Sequence, residues 1–194
     1  GMDEACEAVR AVSQSGLFPT NCRLLDPLEA MVNGVGDGST AVLVLAFESA
    51  DHSLRAWIER ALELAADHGG SWDSAAVERS LAGADAAVAD GEHRKGAAGQ
   101  WRNQFLRAPY YRNYLTPAGI IADTFETAIT WDRFDALYHG VRERVGAALK
   151  EVTGIDCMLS CRFTHVYPDG PAPYFTFYAV GSQEGDMASM LSRW

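Results

Sequence analysis

Polar and apolar side chains alternate along three stretches of this chain, and each stretch reads as a strand with one covered face. In residues 157–167, Leu159, Cys161 and Phe163 share one face while Ser160, Arg162 and Thr164 share the other. In residues 173–180, Phe175, Phe177 and Ala179 oppose Tyr174, Thr176 and Tyr178. In residues 120–130, Ile121, Phe125 and Ile129 oppose Thr124, Glu126 and Thr130. Asp169-Gly170 supplies turn chemistry between the first two, which predicts a hairpin. Residues 21–26 read as a further strand carrying Arg23 beside Leu24 and Leu25, and residues 40–48 as a buried strand.

Helical spacing fills the intervals. Residues 3–15 predict a short helix ending at Gly16. A second helix sets Leu54, Trp57, Ile58, Ala61, Leu62 and Ala65 on one stripe, with Asp51 as its N-cap and Gly69-Gly70 as its end. A third buries Trp131, Phe134, Tyr138, Val141 and Val145 and leaves at Gly154. Residues 71–118 are less regular: an alanine-rich helix near 74–89, a polar turn at 90–96, and a helix through Trp101 and Phe105. They read as a helical insertion. The chain finishes on the start of a helix at 187–194. Several strands are adjacent in sequence, which favours an antiparallel sheet with helices on one face over a parallel α/β fold. The expected class is α+β, a ferredoxin-like antiparallel sheet in a single domain over 1–194, with the insertion at 71–118.

Composition narrows the function. The 194 residues are 48% hydrophobic, enough for a packed core. A formal net charge of -10 excludes a basic footprint for nucleic acid and disfavours an anionic membrane surface. The longest apolar run, 41–47, falls far short of the roughly 20 residues of a membrane span. Gly1 before Met2 reads as a tag remnant, with no signal peptide behind it. Cys6, Cys22, Cys157 and Cys161 form no CxxC pair. On a strand, Cys157 and Cys161 would stand about 13 Å apart, too far for a disulfide. Reduced, mostly buried thiols fit a cytoplasmic protein.

Smaller motifs add little chemistry. The Gly34-Val35-Gly36-Asp37-Gly38 run precedes a strand, whereas a phosphate loop of the dinucleotide kind follows one, so it reads as a hairpin turn. His165 has no second ligand at metal spacing, and no metal is expected. The serines lack a nucleophile elbow. His93 sits in a basic, glycine-flanked turn and reads as solvated. The three alternating strands remain: each offers a hydroxyl-rich face, with one Glu and one Arg among them. Such a face either meets water or lines a cavity closed by another domain, and Tyr167, Tyr174 and Tyr178 are costly on a face meant only for water.

Read in order, Arg23-Leu24-Leu25-Asp26, Tyr111-Arg112-Asn113, Asp123-Thr124-Phe125-Glu126-Thr127 before Trp131-Asp132-Arg133, and Cys161-Arg162 through Tyr167, Asp169, Gly170 and Tyr174-Phe175 resemble a known family. They look like the C-terminal, substrate-binding cap domain of FAD-linked oxidases of the vanillyl-alcohol oxidase type, and within it the alkyldihydroxyacetonephosphate synthases. The resemblance implies a ferredoxin-like cap over a separate FAD-binding domain, with a small-molecule substrate between them. The tyrosine matching Tyr174 would be the general base that removes a proton next to a carbonyl, and the arginine matching Arg23 would belong to the catalytic site. Arg112, Glu126, Arg162, Thr164, His165 and Thr176 would face the substrate or cofactor. A tyrosine ordinarily titrates near 10, so a base of this type needs a cation or hydrogen bond beside it. An arginine supplies that and also forks onto phosphate.

The chain departs from the family pattern in lacking the FAD-binding domain and the loop of consecutive histidines that follows in the synthases. The isolated chain is therefore not expected to turn over substrate. Its expected cofactor is FAD, bound mainly by the other domain of a longer protein. The expected reaction is that of an FAD-dependent oxidoreductase or ether-lipid synthase, on a ketone phosphate or related oxygenated substrate. The alternative is a stand-alone, non-catalytic ligand-binding or dimerisation module of the same fold, and a homodimer is left open in either case.

Overall fold

The alternating stretches close into one five-stranded antiparallel sheet of order β2-β1-β4-β5-β3. Its strands are β1 (Asn21–Leu25), β2 (Val42–Ala46), β3 (Ile120–Glu126), β4 (Met158–Tyr167) and β5 (Gly170–Val180). The helices are α1 (Met2–Gln14), α2 (Pro27–Val32), α3 (Arg55–Ala66), α4 (Ser74–Ala86) and α5 (Trp131–Thr153). This computed structural model describes residues 1–86 and 110–181, together with 103, 106, 107, 189 and 192. The predicted turn at 90–96 and the residues Trp101 and Phe105 lie outside the described residues, as does most of the helix predicted at 187–194.

One face of the sheet carries the core. Met2, Cys6 and Val9 of α1 and Phe134 and Tyr138 of α5 pack on Leu24, Leu159, Cys161, Phe163 and Phe175. The rings interlock: Phe134 meets Phe163 edge-on at 4.8 Å between centroids, and Phe125 stacks on Phe175 at 5.0 Å. Such pairs add about 0.5–1.5 kcal/mol to the area they bury. The helix α3 packs on α1, and Arg55 forks onto Glu78 to tie α3 to α4. The helix α5 ends where Gly154 takes φ +81°, as an αL exit requires. The α+β architecture expected from the pattern is therefore the observed one.

Five details differ from the reading of the sequence. The strand β2 is half-buried along its whole length, because it is an edge strand and pairs with β1 alone. Asp51 does not cap α3. That helix starts after Leu54 with no side-chain cap, and Asp51 instead takes the Ser49 hydroxyl at 2.9 Å and lies 2.6 Å from His52 Nδ1. The strand β3 stops at Glu126 rather than at Thr130. Thr127 and Ile129 still donate to the carbonyls of Pro173 and Pro171, but neither proline has an N–H to return, so the ladder becomes one-sided. The hairpin turn also closes earlier than predicted, at Gly170, where an added Cβ would stand 1.8 Å from the Ile129 carbonyl oxygen.

The fifth difference matters most for function. A short helix, α2, interrupts what reads as loop between β1 and the glycine run. Asp26 caps it by accepting the Glu29 N–H at 2.7 Å, and Pro27 opens it. Its Ala30 packs with Leu25, Val42 and Val44 on the sheet face opposite α1 and α5. Helices therefore cover one face fully, and α2 covers a corner of the other. The glycine run that follows α2 leads into β2, as a connection between antiparallel partners.

Candidate active site

Cross-strand partners share a face, so the register assigns each polar group. Arg162 stands opposite Tyr174, Ser160 opposite Thr176, and Met158 opposite Tyr178. On the outer side, Tyr174 faces Glu126 and Thr176 faces Thr124. Leu25 pairs with Arg162, which brings Arg23, two residues earlier, onto the same face. The hydroxyl-rich face predicted from alternation is thus one continuous surface spanning β1, β4, β5 and β3.

A bulge extends it. Phe163 pairs with Pro173 and His165 with Ala172, leaving Thr164 as the extra residue. Strict alternation from Arg162 would send His165 to the helix-covered face. The bulge instead places Thr164, His165 and Tyr167 on the polar side, where the His165 and Tyr167 rings stack at 6.2 Å, while Val166 turns into the core. Thr164 donates to Glu126 and to the Ala172 carbonyl.

The centre of the face is a layered unit. The Arg162 guanidinium lies over the Tyr174 ring, 4.1 Å from its centroid. Its Nη1 donates to Glu29 Oε1 at 2.8 Å, and Ser160 Oγ donates to Glu29 Oε2 at 2.5 Å. The pair is shielded, with the side chains of Arg162 and Glu29 15% and 3% exposed. Arg162 Nε is buried and meets no acceptor among the described residues. Burial, and then the Arg162 charge, hold the Arg23 guanidinium below its ordinary value. Burial, and then the Glu29 carboxylate, hold Tyr178 above the ordinary tyrosine range. Thr176 is buried between its cross-strand neighbours.

Asp26 joins this face to the other. Its Oδ2 accepts the Cys161 N–H at 2.8 Å, with the Tyr138 hydroxyl at 3.4 Å and Arg142 Nη1 at 3.7 Å from the same oxygen. Burial pushes its carboxyl above the usual range, against the hydrogen bonds from the Glu29 and Cys161 N–H groups.

Of the residues singled out from sequence, Tyr174, Arg23, Arg162, Glu126, Thr164, His165 and Thr176 belong to this face. Arg112 stands apart. It donates to Asp123 at 2.9 Å on the edge strand, and Asp123 belongs by alternation with Ile121 and Phe125. Glu29 and Asp26 were missed, although Asp26-Pro27-Leu28-Glu29 carries an N-cap, a proline at N1 and an acid at N3, a helix-start signature. The thiols of Cys6 and Cys22 are pushed up to about 12 by burial, and Cys161 well above its ordinary value, so these three are inert packing groups. All four cysteines are free. Among the described residues, Asp3, Asp135 and His139 stand close enough to share a cation, but all three are exposed and lie on the helix layer. No helix among the described residues is long and apolar enough to cross a membrane.

Comparison with known proteins agrees with this architecture. Two crystal forms of alkyldihydroxyacetonephosphate synthase superpose on the chain with TM-scores of 0.70 (P212121) and 0.64 (P1), each at 17% identity. Each match covers 98% of this chain and 36% of the synthase, so the chain spans about a third of that protein's length. No curated protein matches the chain. The sequence fits the family described as FAD linked oxidases, C-terminal domain, over residues 1–192. This chain belongs to that family, and FAD is the cofactor the family implies.

Proposed function

We propose that this chain is the substrate-binding cap of an FAD-dependent enzyme similar to alkyldihydroxyacetonephosphate synthase, acting on a ketone phosphate or related oxygenated substrate, with Tyr174 as general base. The observation that carries this reading is the Arg162 guanidinium over the Tyr174 ring at 4.1 Å, anchored by a buried carboxylate in the middle of a polar sheet face. A surface stripe does not need a shielded ion pair beneath it. A tyrosine that must give up and take back a proton needs a fixed positive charge at its side.

The residues present fit the reactive end of a flavin. Thr176, Tyr178, Thr164 and His165 share the sheet face of Tyr174 and bring further polar groups to it. FAD, when bound, supplies an electron-accepting centre beside the base, and its pyrophosphate is held mainly by a further domain of the full-length protein. Tyr174 removes the proton from the carbon next to the substrate carbonyl. Arg162 balances the charge that develops on the phenol oxygen. Arg23 stands beside Arg162 as a second cation, suited to the phosphate or carboxylate of the substrate. Glu126, holding Thr164, and His165 border the substrate on the outer side. Arg112 serves the phosphate from the sheet edge. This reading places the protein in the cytoplasm and in ether-lipid synthesis.

The test is Tyr174→Phe in a flavin-containing, full-length protein, assayed with acyl-dihydroxyacetone phosphate and a long-chain alcohol. Turnover is expected to fall by about 10²–10⁴-fold with substrate binding retained. Unchanged turnover would remove Tyr174 from the mechanism.

A further inference from the structure

No strand pattern announces Glu29, yet it makes the most specific contacts on the polar face. In a helix that begins Asp-Pro-Leu-Glu, the glutamate at N3 ordinarily folds back onto the N–H of the capping residue. Here that N–H is already taken: Asp26 N donates to the Cys161 carbonyl at 2.9 Å, while Asp26 Oδ2 accepts the Cys161 N–H. The start of α2 is thus pinned to β4 one residue from Arg162, and Glu29 is free to turn toward the sheet. Both of its oxygens are then used, one by Arg162 Nη1 and one by Ser160 Oγ, which also lies 3.4 Å from the Thr176 carbonyl oxygen.

We propose that Glu29 is the positioning residue of this site: it clamps Arg162, so that the guanidinium serves the Tyr174 ring and not the anionic group of the substrate. The proposal rests on the reading of Tyr174 as base. Two observations support it beyond the ion pair itself. The guanidinium stacks on the ring of its own cross-strand partner, so a rotation that broke the contact with Glu29 would also break the stack. Arg162 Nε is left buried without an acceptor among the described residues, a cost that an arrangement serving stability alone would avoid.

The experiment is a double-mutant cycle in the full-length flavin-containing protein, with acyl-dihydroxyacetone phosphate as the varied substrate. Glu29→Gln is expected to lower kcat about tenfold or more while KM stays within about twofold, because a transition-state interaction is lost and no substrate contact is. The same substitution is expected to cost nothing further in a Tyr174→Phe background. A crystal structure of the Glu29→Gln protein should show the guanidinium moved off the ring. The proposal is overturned by a raised KM at constant kcat, by equal losses in both backgrounds, or by a guanidinium that stays over Tyr174. If the Gln variant fails to fold, Glu29→Asp keeps the charge and shortens the reach, and the same readings apply. If Tyr174→Phe alone leaves turnover intact, the base role fails, and the variant's crystal structure still decides whether Glu29 holds Arg162.

Discussion

The two faces of the sheet are built on the same rungs and do opposite things. Cys161 pairs with Phe175 on the helix side, and the next pair along, Arg162 with Tyr174, lies on the other. Phe175 and Phe163 have no exposure at all and lock into rings from α5 and β3. One residue away, the side chains carry charge and hydroxyls and are half-buried. The helix side fixes the backbone, and the polar side borrows that fixity: its groups hold their spacing because their neighbours in sequence cannot move. A site carried on strands in this way is more precise than one carried on loops.

The contrast breaks most sharply at Phe175. Phe175→Ala empties the centre of the aromatic stack and is expected to cost about 3–5 kcal/mol. Chemical denaturation of the full-length protein, followed by a probe in this domain, measures it. Because Tyr174 and Thr176 flank this position, the variant should also lose order on the polar face even where it remains folded. A loss under about 1 kcal/mol would mean that the stack of Phe125, Phe163 and Phe175 is less continuous than its geometry indicates.

Asp26 sharpens the comparison, since it is bonded to both faces. Asp26→Asn replaces one acceptor oxygen by an amide NH₂ that the Glu29 and Cys161 N–H groups cannot use, at an expected cost of about 1–3 kcal/mol. Its pH dependence has a definite sign. The folded-state carboxyl is raised, with burial as the first cause, so the folded chain holds a proton more tightly than the unfolded one. Stability from this group is therefore fully present below the unfolded value of about 3.9 and is lost as pH rises through the folded value. The gap between wild type and Asn variant should narrow from pH 4 to pH 7 in urea unfolding. A gap that widens would show the carboxylate to be favoured by folding.

How much of this was legible in the sequence depends on whether the signal was local. Alternation over residues 159–164 of β4 separated Ser160 and Arg162 from Leu159 and Phe163 without help. The bulge at Thr164 was not legible, because what reveals it is the partner register with Pro173 and Ala172 across the hairpin. Pro171 and Pro173 end the β3 ladder from more than forty residues away, so the sequence of β3 itself holds no stop signal. The helix α2 has six residues, too few for a hydrophobic period, and only its capping residues speak for it. Glu29 was missed with it, since an acid at N3 reads as an ordinary helix start. Arg112 was named from a family resemblance, which carries a residue type and an order along the chain but no face of a strand.

That last residue gives the smallest expected effect and the cleanest division between the edge and the face of the sheet. Arg112 and Asp123 are 52% and 36% exposed, so their ion pair is screened by solvent and contributes little. Arg112→Gln should change unfolding free energy by no more than about 0.5 kcal/mol. With stability set aside in this way, turnover reports directly on function. A fall of about tenfold or more in kcat/KM for a phosphate-bearing substrate, absent for a neutral analogue, would mean that Arg112 leaves Asp123 to meet the anion. Equal values for wild type and variant would confine the site to the face that Arg162 and Tyr174 occupy, and Arg112 would be an edge residue holding β3 to the helical segment at 110–115.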